Sequence, residues 1–284
     1  MLRIVARAGL LVLMAGCVAC GGRSTPPRAP LSRPELVFFE DFTGPSLDRS
    51  RWNVEVTGQW VNDEQQAYVD DSTTVFLEDG ALVLEARPRK GYLTAQGRKF
   101  DFVSGRINTR GKFEFSYGTV SARMKLPEGS GFWPAFWLLG KGRWPDTGEI
   151  DVMESDGELD WVSSALHGPG YSGATPLVNQ GYFPRGADIT GWHVYSVDWS
   201  PTELVFRVDD AVHFRVSRPM VEHYGRWAYD EPKFIILNLA LGGGFPRKYN
   251  DVAAPYPGLP TSTVQRIEEG RSRVLVDWVK VTRK

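Results

Sequence analysis

Cysteine is scarce in this chain: only two of its 284 residues are cysteines, Cys17 and Cys20, and both lie near the amino terminus. The rest of the chain therefore forms no disulfide bond and must be stabilised by a hydrophobic core. No stretch longer than about two turns has helical spacing, apart from Pro219–Tyr224. No repeat of roughly 20–50 residues is visible either, which argues against a propeller or a solenoid.

Excess charge of either sign is small, with a formal net charge of −1. Residues 1–34 contain five arginines and no acid, so residues 35–284 carry a net charge of −6. The chain has no basic stripe of the kind that binds nucleic acid. A mildly acidic domain would also repel a polyanionic substrate, which favours an uncharged polymer.

Residues 1–16 resemble an export signal, because two arginines precede the short apolar stretch Ala8–Gly16. That stretch is too short to span a membrane. The run Leu13–Cys17 (LMAGC) is similar to a bacterial lipobox, in which the cysteine is lipidated and becomes the first mature residue. We therefore expect a lipoprotein at the cell envelope with Cys17 as the lipidated residue. Cys20 is the alternative acceptor, and secretion without a lipid is the alternative fate.

The next segment, residues 17–34, is rich in proline, serine and arginine and predicts a flexible tether. Residues 35–284 are then one domain, of a size that all-β folds reach. Within it, short segments of alternating apolar and polar residues recur between turn signals. They include Ala81–Ala86, Lys112–Phe115, Thr119–Leu126, His193–Trp199, Glu203–Val208 and Val274–Val281. Many strands without helices between them predict an all-β fold, either a two-sheet sandwich or a barrel.

Three acids lie close together in the segment Trp144–Glu154 (WPDTGEIDVME). In a β-strand alternate side chains share a face, so Glu149 and Asp151 lie on the same side. Regular alternation would turn Glu154 into the core, where an unpaired carboxylate is costly. We therefore predict a β-bulge near Met153, which resets the alternation and brings all three acids to one face.

Like charges at this spacing are unfavourable unless one group is protonated. The arrangement suits retaining glycoside hydrolysis, in which two carboxyl groups about 5–5.5 Å apart act as nucleophile and acid/base. A third acid can hydrogen-bond the nucleophile. The alternatives are a solvated acidic strand edge and a metal site, and three acids this close beside tryptophan are unusual for either.

Two tryptophans precede the carboxylate segment, Trp133 and Trp137, and they are four residues apart. They therefore face one side of an extended strand. An aromatic ring offers a flat apolar surface on which the C–H face of a sugar can stack. Either ring could instead fill the core, but the neighbouring acids favour a sugar-binding cleft.

Three motifs carry a family resemblance: GEIDVMES (Gly148–Ser155), FWPAFWLLG (Phe132–Gly140) and NLALGGGFP (Asn238–Pro246). In them, and over about residues 36–282, the chain resembles glycoside hydrolase family 16 and its laminarinase-type members. The resemblance implies a β-jelly-roll sandwich of two curved antiparallel sheets with a polysaccharide cleft on the concave face. Two residues between Asp151 and Glu154 is the spacing of laminarinases, agarases and carrageenases.

The resemblance also implies roles for the three acids. Glu149 would attack the anomeric carbon, and Glu154 would protonate the leaving oxygen and then deprotonate water, with Asp151 between them. His167 matches a histidine near the acid/base, which it would orient. Substrate contacts are expected at Asn62, Arg106, Trp133, Trp137, Trp144 and Asn238 in addition to His167.

Many members of the family bind one calcium ion away from the cleft. The matching ligands here are Glu40, the backbone carbonyl of Gly80, and Asp277, and such an ion would stabilise the fold. No cofactor is expected for catalysis. The chain departs from the family pattern at Gly244-Phe245, where Asn-Trp is frequent, and this puts the substrate in doubt more than the reaction type.

The sequence thus predicts a monomeric endo-β-1,3-glucanase that hydrolyses internal bonds of a polysaccharide, binds no nucleic acid and contacts a membrane only through its lipid. The alternatives are the same chemistry on another β-glucan or a galactan, transglycosylation in place of hydrolysis, and a non-catalytic lectin-like protein of the same fold. A lectin would have no need of the three acids.

Overall fold

The computed structural model describes residues 34–57 and 61–283. The expected export signal, both cysteines and the expected tether up to residue 33 lie outside the described residues. Those predictions therefore stay predictions.

Strands dominate the described residues. They are β1 (Glu35–Glu40), β2 (Asn53–Val54), β3 (Gln66–Tyr68), β4 (Val75–Glu78), β5 (Ala81–Glu85), β6 (Arg87–Leu93), β7 (Lys99–Ser104), β8 (Arg106–Asn108), β9 (Gly118–Lys125), β10 (Phe132–Gly140), β11 (Glu149–Glu154), β12 (Trp161–His167), β13 (Leu177–Tyr182), β14 (His193–Trp199), β15 (Glu203–Val208), β16 (Ala211–Ser217), β17 (Lys233–Leu241) and β18 (Arg273–Arg283). The helices in this part of the chain are short: α1 (Arg218–Tyr224), α2 (Gly244–Asn250) and α3 (Thr261–Glu268).

Two large antiparallel sheets form a β-jelly-roll sandwich, as predicted. The outer sheet has the order β16-β15-β14-β9-β18-β5-β4, and β1 also pairs with β18. The second sheet, here called the cleft sheet, has the order β13-β12-β11-β10-β17-β8-β2. A small third sheet, β3-β7-β6, includes the parallel pair β3 and β7.

The core lies between the two large sheets and follows from side-chain alternation. On β17, the side chains of Leu237 and Leu239 are fully buried in this core, whereas Asn238 lies on the opposite face. Burial of one such leucine contributes roughly 1.5–3 kcal/mol. The face of the cleft sheet that carries Asn238 is called the cleft face below.

Most of the predicted elements are present. Strands β5, β9, β14, β15 and β18 match the expected segments, and α1 covers the one stretch with helical spacing. The prediction of a strand at Lys112–Phe115 was wrong. The amides of Lys112 and Phe113 both donate to the carbonyl of Thr109 and close a turn, so that only Phe115 forms a bridge, with Lys233.

The three helices have seven or eight residues each. Within residues 34–57 and 61–283, none has the length and apolar composition that crossing a bilayer would require.

Candidate active site

A β-bulge in β11 places three acids on the cleft face. The pairing of β11 with β10 skips Val152, which is the extra residue. Val152 and Met153 both contribute to the core, so Glu154 returns to the face of Glu149 and Asp151. The predicted bulge is confirmed.

The backbone that enters β11 is tightly packed. Gly148 has a φ of +70°, and a Cβ there would lie 2.3 Å from the carbonyl oxygen of Ala228, so only glycine fits. Lys233, fully buried at the start of β17, donates from Nζ to the carbonyl oxygens of Thr147 (2.6 Å) and Ala228 (3.1 Å). Burial lowers the pKa of Lys233 to about 8. This lysine ties the loop before Glu149 to the cleft sheet.

Burial raises the pKa values of all three acids, and repulsion between carboxylates adds to this for Asp151 and Glu149. Asp151 is buried, its Oδ2 atom has no hydrogen-bond partner, and its pKa is raised well above the usual range by desolvation and by the charges of Glu149 and Glu154. Desolvation raises the pKa of Glu149 to about 7, and repulsion from Glu154 adds to it. Desolvation likewise raises the pKa of Glu154 to about 7. Near neutral pH the three groups together therefore hold protons, and one can donate while another is ionised.

His167 lies beside Glu149 and not beside Glu154, which corrects the expectation that it orients the acid/base. The two residues are opposite each other on β12 and β11. His167 Nε2 is 3.7 Å from Glu149 Oε1 and 3.5 Å from Asp151 Oδ2. Its Nδ1 accepts a hydrogen bond from the backbone N–H of Gly173 (3.1 Å), so the neutral ring carries its proton on Nε2. Burial lowers the pKa of His167 to about 4 and keeps the ring neutral.

Two tryptophans hydrogen-bond the outer acids. Trp133 Nε1 donates to Glu154 Oε1 (2.9 Å), and Trp144 Nε1 donates to Glu149 Oε2 (3.1 Å). Each N–H favours the ionised form of the carboxylate that it contacts. Trp144 also leaves 45% of its surface exposed, so its ring remains available to a ligand in the cleft.

A second group of predicted residues lies on the β10 side of the acids. Asn238 and Arg106 are register partners on β17 and β8. Trp137 Nε1 donates to Asn238 Oδ1 (2.7 Å), and the Arg106 guanidinium lies 4.9 Å from the centre of the Trp137 ring. Arg106 Nε is 3.0 Å from Glu55 Oε2. A pocket of about 450 Å³ continues from Arg106 along β8 to Phe234.

A partly buried carboxylate that was not predicted, Glu64, also belongs to this second group. Glu64 Oε2 accepts hydrogen bonds from Gln66 Nε2 (2.7 Å) and the Tyr68 hydroxyl (3.4 Å), and the Tyr68 oxygen accepts one from Asn238 Nδ2 (3.1 Å). The predicted contact Asn62 donates from Nδ2 to Glu64 Oε1 at 3.5 Å. Desolvation raises the pKa of Glu64. Residues 64, 66 and 68 alternate along the chain, and this spacing could have indicated that their side chains lie on one face.

The departure from the family pattern at Gly244-Phe245 lies beside the acids. Phe245, the second residue of α2, packs on Trp133, with ring centroids 5.2 Å apart. Since Trp133 hydrogen-bonds Glu154, this loop contributes directly to the wall of the cleft next to the expected acid/base.

The expected calcium ligands lie away from the cleft, and both carboxylates already have arginine partners. Glu40 on β1 and Asp277 on β18 belong to paired strands of the outer sheet. Arg51 lies 3.1 Å from Glu40 Oε2, and Arg123 donates to Asp277 Oδ2 (2.6 Å). A calcium ion at these oxygens would have to displace or share these ion pairs, which disfavours it. Gly80 occupies the turn between β4 and β5, and the calcium site stays a prediction.

One cluster in the cleft has the spacing of a metal site. Ligand atoms of Glu149, Asp151 and His167 all lie within 4.8 Å of one another. A metal on His167 Nε2 would force the proton to Nδ1, where it would face the N–H of Gly173. The tautomer that the backbone selects therefore does not fit a metal ligand, and it does fit a hydrogen-bond donor to the acids.

Comparison with known proteins gives this geometry a family. The sequence profile described as "Glycosyl hydrolases family 16" matches residues 55–257. A protein from Niallia circulans named "Glucan endo-1,3-beta-glucosidase A1" is 35% identical over 249 residues, which cover 78% of this chain and 36% of that protein. A "Beta-glucanase" from Rhodothermus marinus is 31% identical, with 96% of this chain and 93% of that protein covered.

The fold agrees with these matches. The laminarinase catalytic domain from Thermotoga maritima superposes with a TM-score of 0.78 at 32% sequence identity, covering 89% of this chain and 99% of that domain. This chain spans about a third of the Niallia circulans protein but nearly all of the Rhodothermus marinus protein and the Thermotoga maritima domain. The family profile covers most of the described domain and the Rhodothermus marinus protein matches along nearly its whole length, so the chain belongs to glycosyl hydrolase family 16.

Proposed function

We propose that this chain is a retaining endo-β-1,3-glucanase that cleaves internal bonds of an uncharged β-glucan by double displacement. The observation that carries the proposal is the bulge in β11, which brings Glu149 and Glu154 to one face with raised pKa values. Names of two similar proteins, a glucan endo-1,3-β-glucosidase and a laminarinase, support the choice of polymer.

In the first step, ionised Glu149 attacks the anomeric carbon while Glu154 donates its proton to the leaving oxygen. A covalent glycosyl-enzyme forms and one end of the polymer departs. In the second step, Glu154 accepts a proton from water, and the water oxygen displaces Glu149 from the anomeric carbon. Each displacement inverts the configuration, so the product retains it.

The contacts of the two acids favour this division of roles. Glu149 receives the N–H of Trp144, faces the Nε2–H of His167 and feels the positive charge of Lys233. These contacts stabilise a carboxylate at Glu149. Glu154 receives one neutral donor, the indole of Trp133, among its hydrogen bonds within the described chain, and the charge of Lys248 also lowers its pKa. With one N–H donor where Glu149 faces two, Glu154 is the better suited of the pair to begin the reaction protonated.

Hydrolysis of a panel of polymers tests the proposal. Laminarin, lichenan, agarose and carrageenan are each incubated with the wild type and with Glu149→Gln, and product sizes are followed with time. Short oligomers from laminarin by the wild type, and none by the variant, support an endo-β-1,3-glucanase. Products larger than the starting polymer would indicate transglycosylation, and a wild type inactive on every polymer but able to bind one would support a lectin.

We also propose that the protein is a monomer exported to the cell envelope and anchored through Cys17. The lipobox-like run before that residue supports this, together with its basic and apolar leader. Metabolic labelling with a radioactive fatty acid tests the anchor, with Cys17→Ser and Cys20→Ser compared. Labelling that is lost only in Cys20→Ser would move the anchor to Cys20, and an unlabelled wild type would leave simple secretion.

A further inference from the structure

The bulge in β11 is held by a buried hydroxyl group on the neighbouring strand. β12 pairs with β11 on both sides of the bulge, at Ala165 and at Ser163, which leaves Ser164 opposite the extra residue. Ser164 is fully buried, and its Oγ atom donates a hydrogen bond to the carbonyl oxygen of Val152 (2.8 Å). This bond fixes the carbonyl of the extra residue at the point where regular strand pairing is interrupted.

A second bulge, in the outer sheet, brings His213 to the same hydroxyl group. On β16, Val212 and Phe214 pair with consecutive residues of β15, so His213 between them is the extra residue. His213 Nε2 lies 2.9 Å from Ser164 Oγ. β16 and β13 are end strands of their sheets, and Asn179 on β13 donates to the His213 carbonyl (2.6 Å). The extra residues of two bulges in different sheets are therefore joined through one serine.

The surroundings of His213 leave space for an imidazole ring. Gly181, a buried residue on β13, lies directly against the ring. A Cβ at Gly181 would lie 2.8 Å from His213 Cγ, so every other residue there would displace the imidazole. The glycine thus keeps the ring in reach of Ser164.

The direction of each hydrogen bond follows from the atoms involved. The Val152 carbonyl can only accept, so the single hydroxyl proton of Ser164 points to it. His213 Nε2 must then donate to Ser164 Oγ, which leaves Nδ1 without a proton. Nδ1 is buried and has no hydrogen-bond partner among the described residues. Burial lowers the pKa of His213 to about 4, so the ring stays neutral where the three acids share their protons.

We propose that Ser164 and His213 are positioning residues, which hold the bulge in the form that presents Glu154 to the substrate. The inference rests on the proposed function, in which Glu154 is the acid/base. Val152 is two residues before Glu154, so a change at its carbonyl moves the acid. A displacement of a catalytic group by about 1 Å can cost about 100-fold in rate.

The test replaces each residue of the pair and a matched control. Ser164→Ala removes the donor to Val152 and His213→Leu removes the donor to Ser164, whereas His213→Gln keeps an N–H near the position of Nε2. The control is Ser272→Ala. Ser272 is also fully buried and donates from Oγ to a backbone carbonyl, that of Ala86 (2.7 Å), between β5 and β18 of the outer sheet. If Ser164→Ala does not fold, the two His213 variants carry the comparison.

Two substrates separate placement of the acid from a general loss of stability. Laminarin needs a proton on its leaving oxygen, whereas a dinitrophenyl β-glycoside of a β-1,3-gluco-oligosaccharide releases a phenolate that needs none. We expect Ser164→Ala and His213→Leu to lower kcat/KM for laminarin roughly 10-fold or more, and to leave kcat/KM for the dinitrophenyl glycoside within about 2-fold of the wild type. His213→Gln should recover most of the loss, and Ser272→Ala should match the wild type on both substrates. Equal losses on the two substrates would overturn the proposal.

A measurement without substrate separates this proposal from the proposed function. The indole N–H of Trp133, which donates to Glu154 Oε1 (2.9 Å), gives a proton resonance that Trp133→Phe assigns. We expect this resonance to move towards that of a free indole in Ser164→Ala and His213→Leu, and to stay in place in Ser272→Ala. A wild type that cleaves no glucan would overturn the proposed function, while the moved resonance would still support the placement of Glu154 by this pair. If the resonance and both kcat/KM values are the same in Ser164→Ala as in Ser272→Ala, the pair does not position Glu154.

Discussion

Replacement of Asp151 by asparagine tests whether Asp151 is protonated in the wild-type enzyme during the reaction. A carboxylate oxygen of Asp151 lies within 4.8 Å of one on Glu149. At an effective dielectric constant of about 20, two negative charges at that distance repel each other by about 3.5 kcal/mol, which is equivalent to about 2.5 pH units in the pKa of Glu149. An ionised Asp151 would therefore raise the pKa of Glu149 and with it the acid limb of the pH profile of kcat/KM. A protonated Asp151 would leave that limb in place.

We expect a protonated Asp151. Burial and two carboxylate neighbours raise its pKa well above that of an ordinary aspartate, and its Oδ2 atom accepts no hydrogen bond, with His167 Nε2 3.5 Å away. The asparagine side chain is neutral as well, so Asp151→Asn should move the acid limb of kcat/KM by less than about half a pH unit. The kcat of this variant should fall roughly 10-fold, since an amide donates a weaker hydrogen bond to Glu149 than a carboxyl group does.

The assay is the pH dependence of kcat/KM between pH 4 and 9 for the wild type and Asp151→Asn. Circular dichroism and the melting temperature confirm that the variant is folded. A shift of the acid limb by two pH units or more towards lower pH would show that Asp151 is ionised in the wild type. The protonation scheme described here would then be wrong.

Individual contacts give three further predictions. Trp144→Phe removes a donor to Glu149 and should move the acid limb of the pH profile of kcat/KM up by about one pH unit. Trp133→Phe removes a donor to Glu154 and should move the alkaline limb up by a similar amount. Limbs that stay in place in either variant would contradict this prediction. Lys233→Met leaves the carbonyls of Thr147 and Ala228 without their donor. The free energy of unfolding, measured in urea, should fall by about 2–4 kcal/mol, and kcat should also fall. An unchanged urea midpoint would contradict this prediction. Dialysis against EDTA should leave kcat unchanged well below the melting temperature. A loss that a divalent cation restores, with the melting temperature unchanged throughout, would show that a metal takes part in the reaction.

The central feature of the site, the bulge in β11, could be predicted from residues within one strand. Glu149 and Glu154 are five residues apart, so a regular strand would place them on opposite faces and bury one carboxylate in the core. An extra residue in the strand brings both to the same face. The same alternation placed Trp133 and Trp137 on the cleft face, where each donates a hydrogen bond. These inferences held because they depend on residues within one strand.

Features that depend on the pairing of distant strands were not accessible in this way. His167 was expected beside the acid/base, but the register of β12 against β11 sets it opposite Glu149. That register changes across the bulge, and no pattern within β12 reports it. Glu64 is a partly different case, because its direct partners Gln66 and Tyr68 are local and only the further link from Tyr68 to Asn238 joins separate sheets.

The short helix α2 could not be predicted from the sequence for a different reason. Its seven residues, Gly244–Asn250, begin with glycine and contain Pro246, so neither length nor propensity predicts a helix. Tertiary packing stabilises this helix instead. Phe245 and Tyr249 are four residues apart, so they lie on one face, where Phe245 contacts Trp133 and Tyr249 contacts Trp161.

The raised pKa values of the acids also imply that the site reduces the stability of the fold. For a carboxyl group whose pKa is raised in the folded state, the stabilisation is fully present below the unfolded value and is lost as the pH rises through the folded value. For Glu154 that window runs from about 4.5 to about 7, and the difference corresponds to about 3 kcal/mol. Glu154→Gln should therefore raise the free energy of unfolding by up to about 3 kcal/mol at pH 8 and by almost nothing at pH 4, as measured by urea denaturation. Glu268→Gln, at an exposed position on α3, is the control and should change neither value. Equal stabilities of Glu154→Gln and the wild type at pH 8 would mean that the active site retains an ionised Glu154 without cost, and the acid/base would then have no reason to begin the reaction protonated.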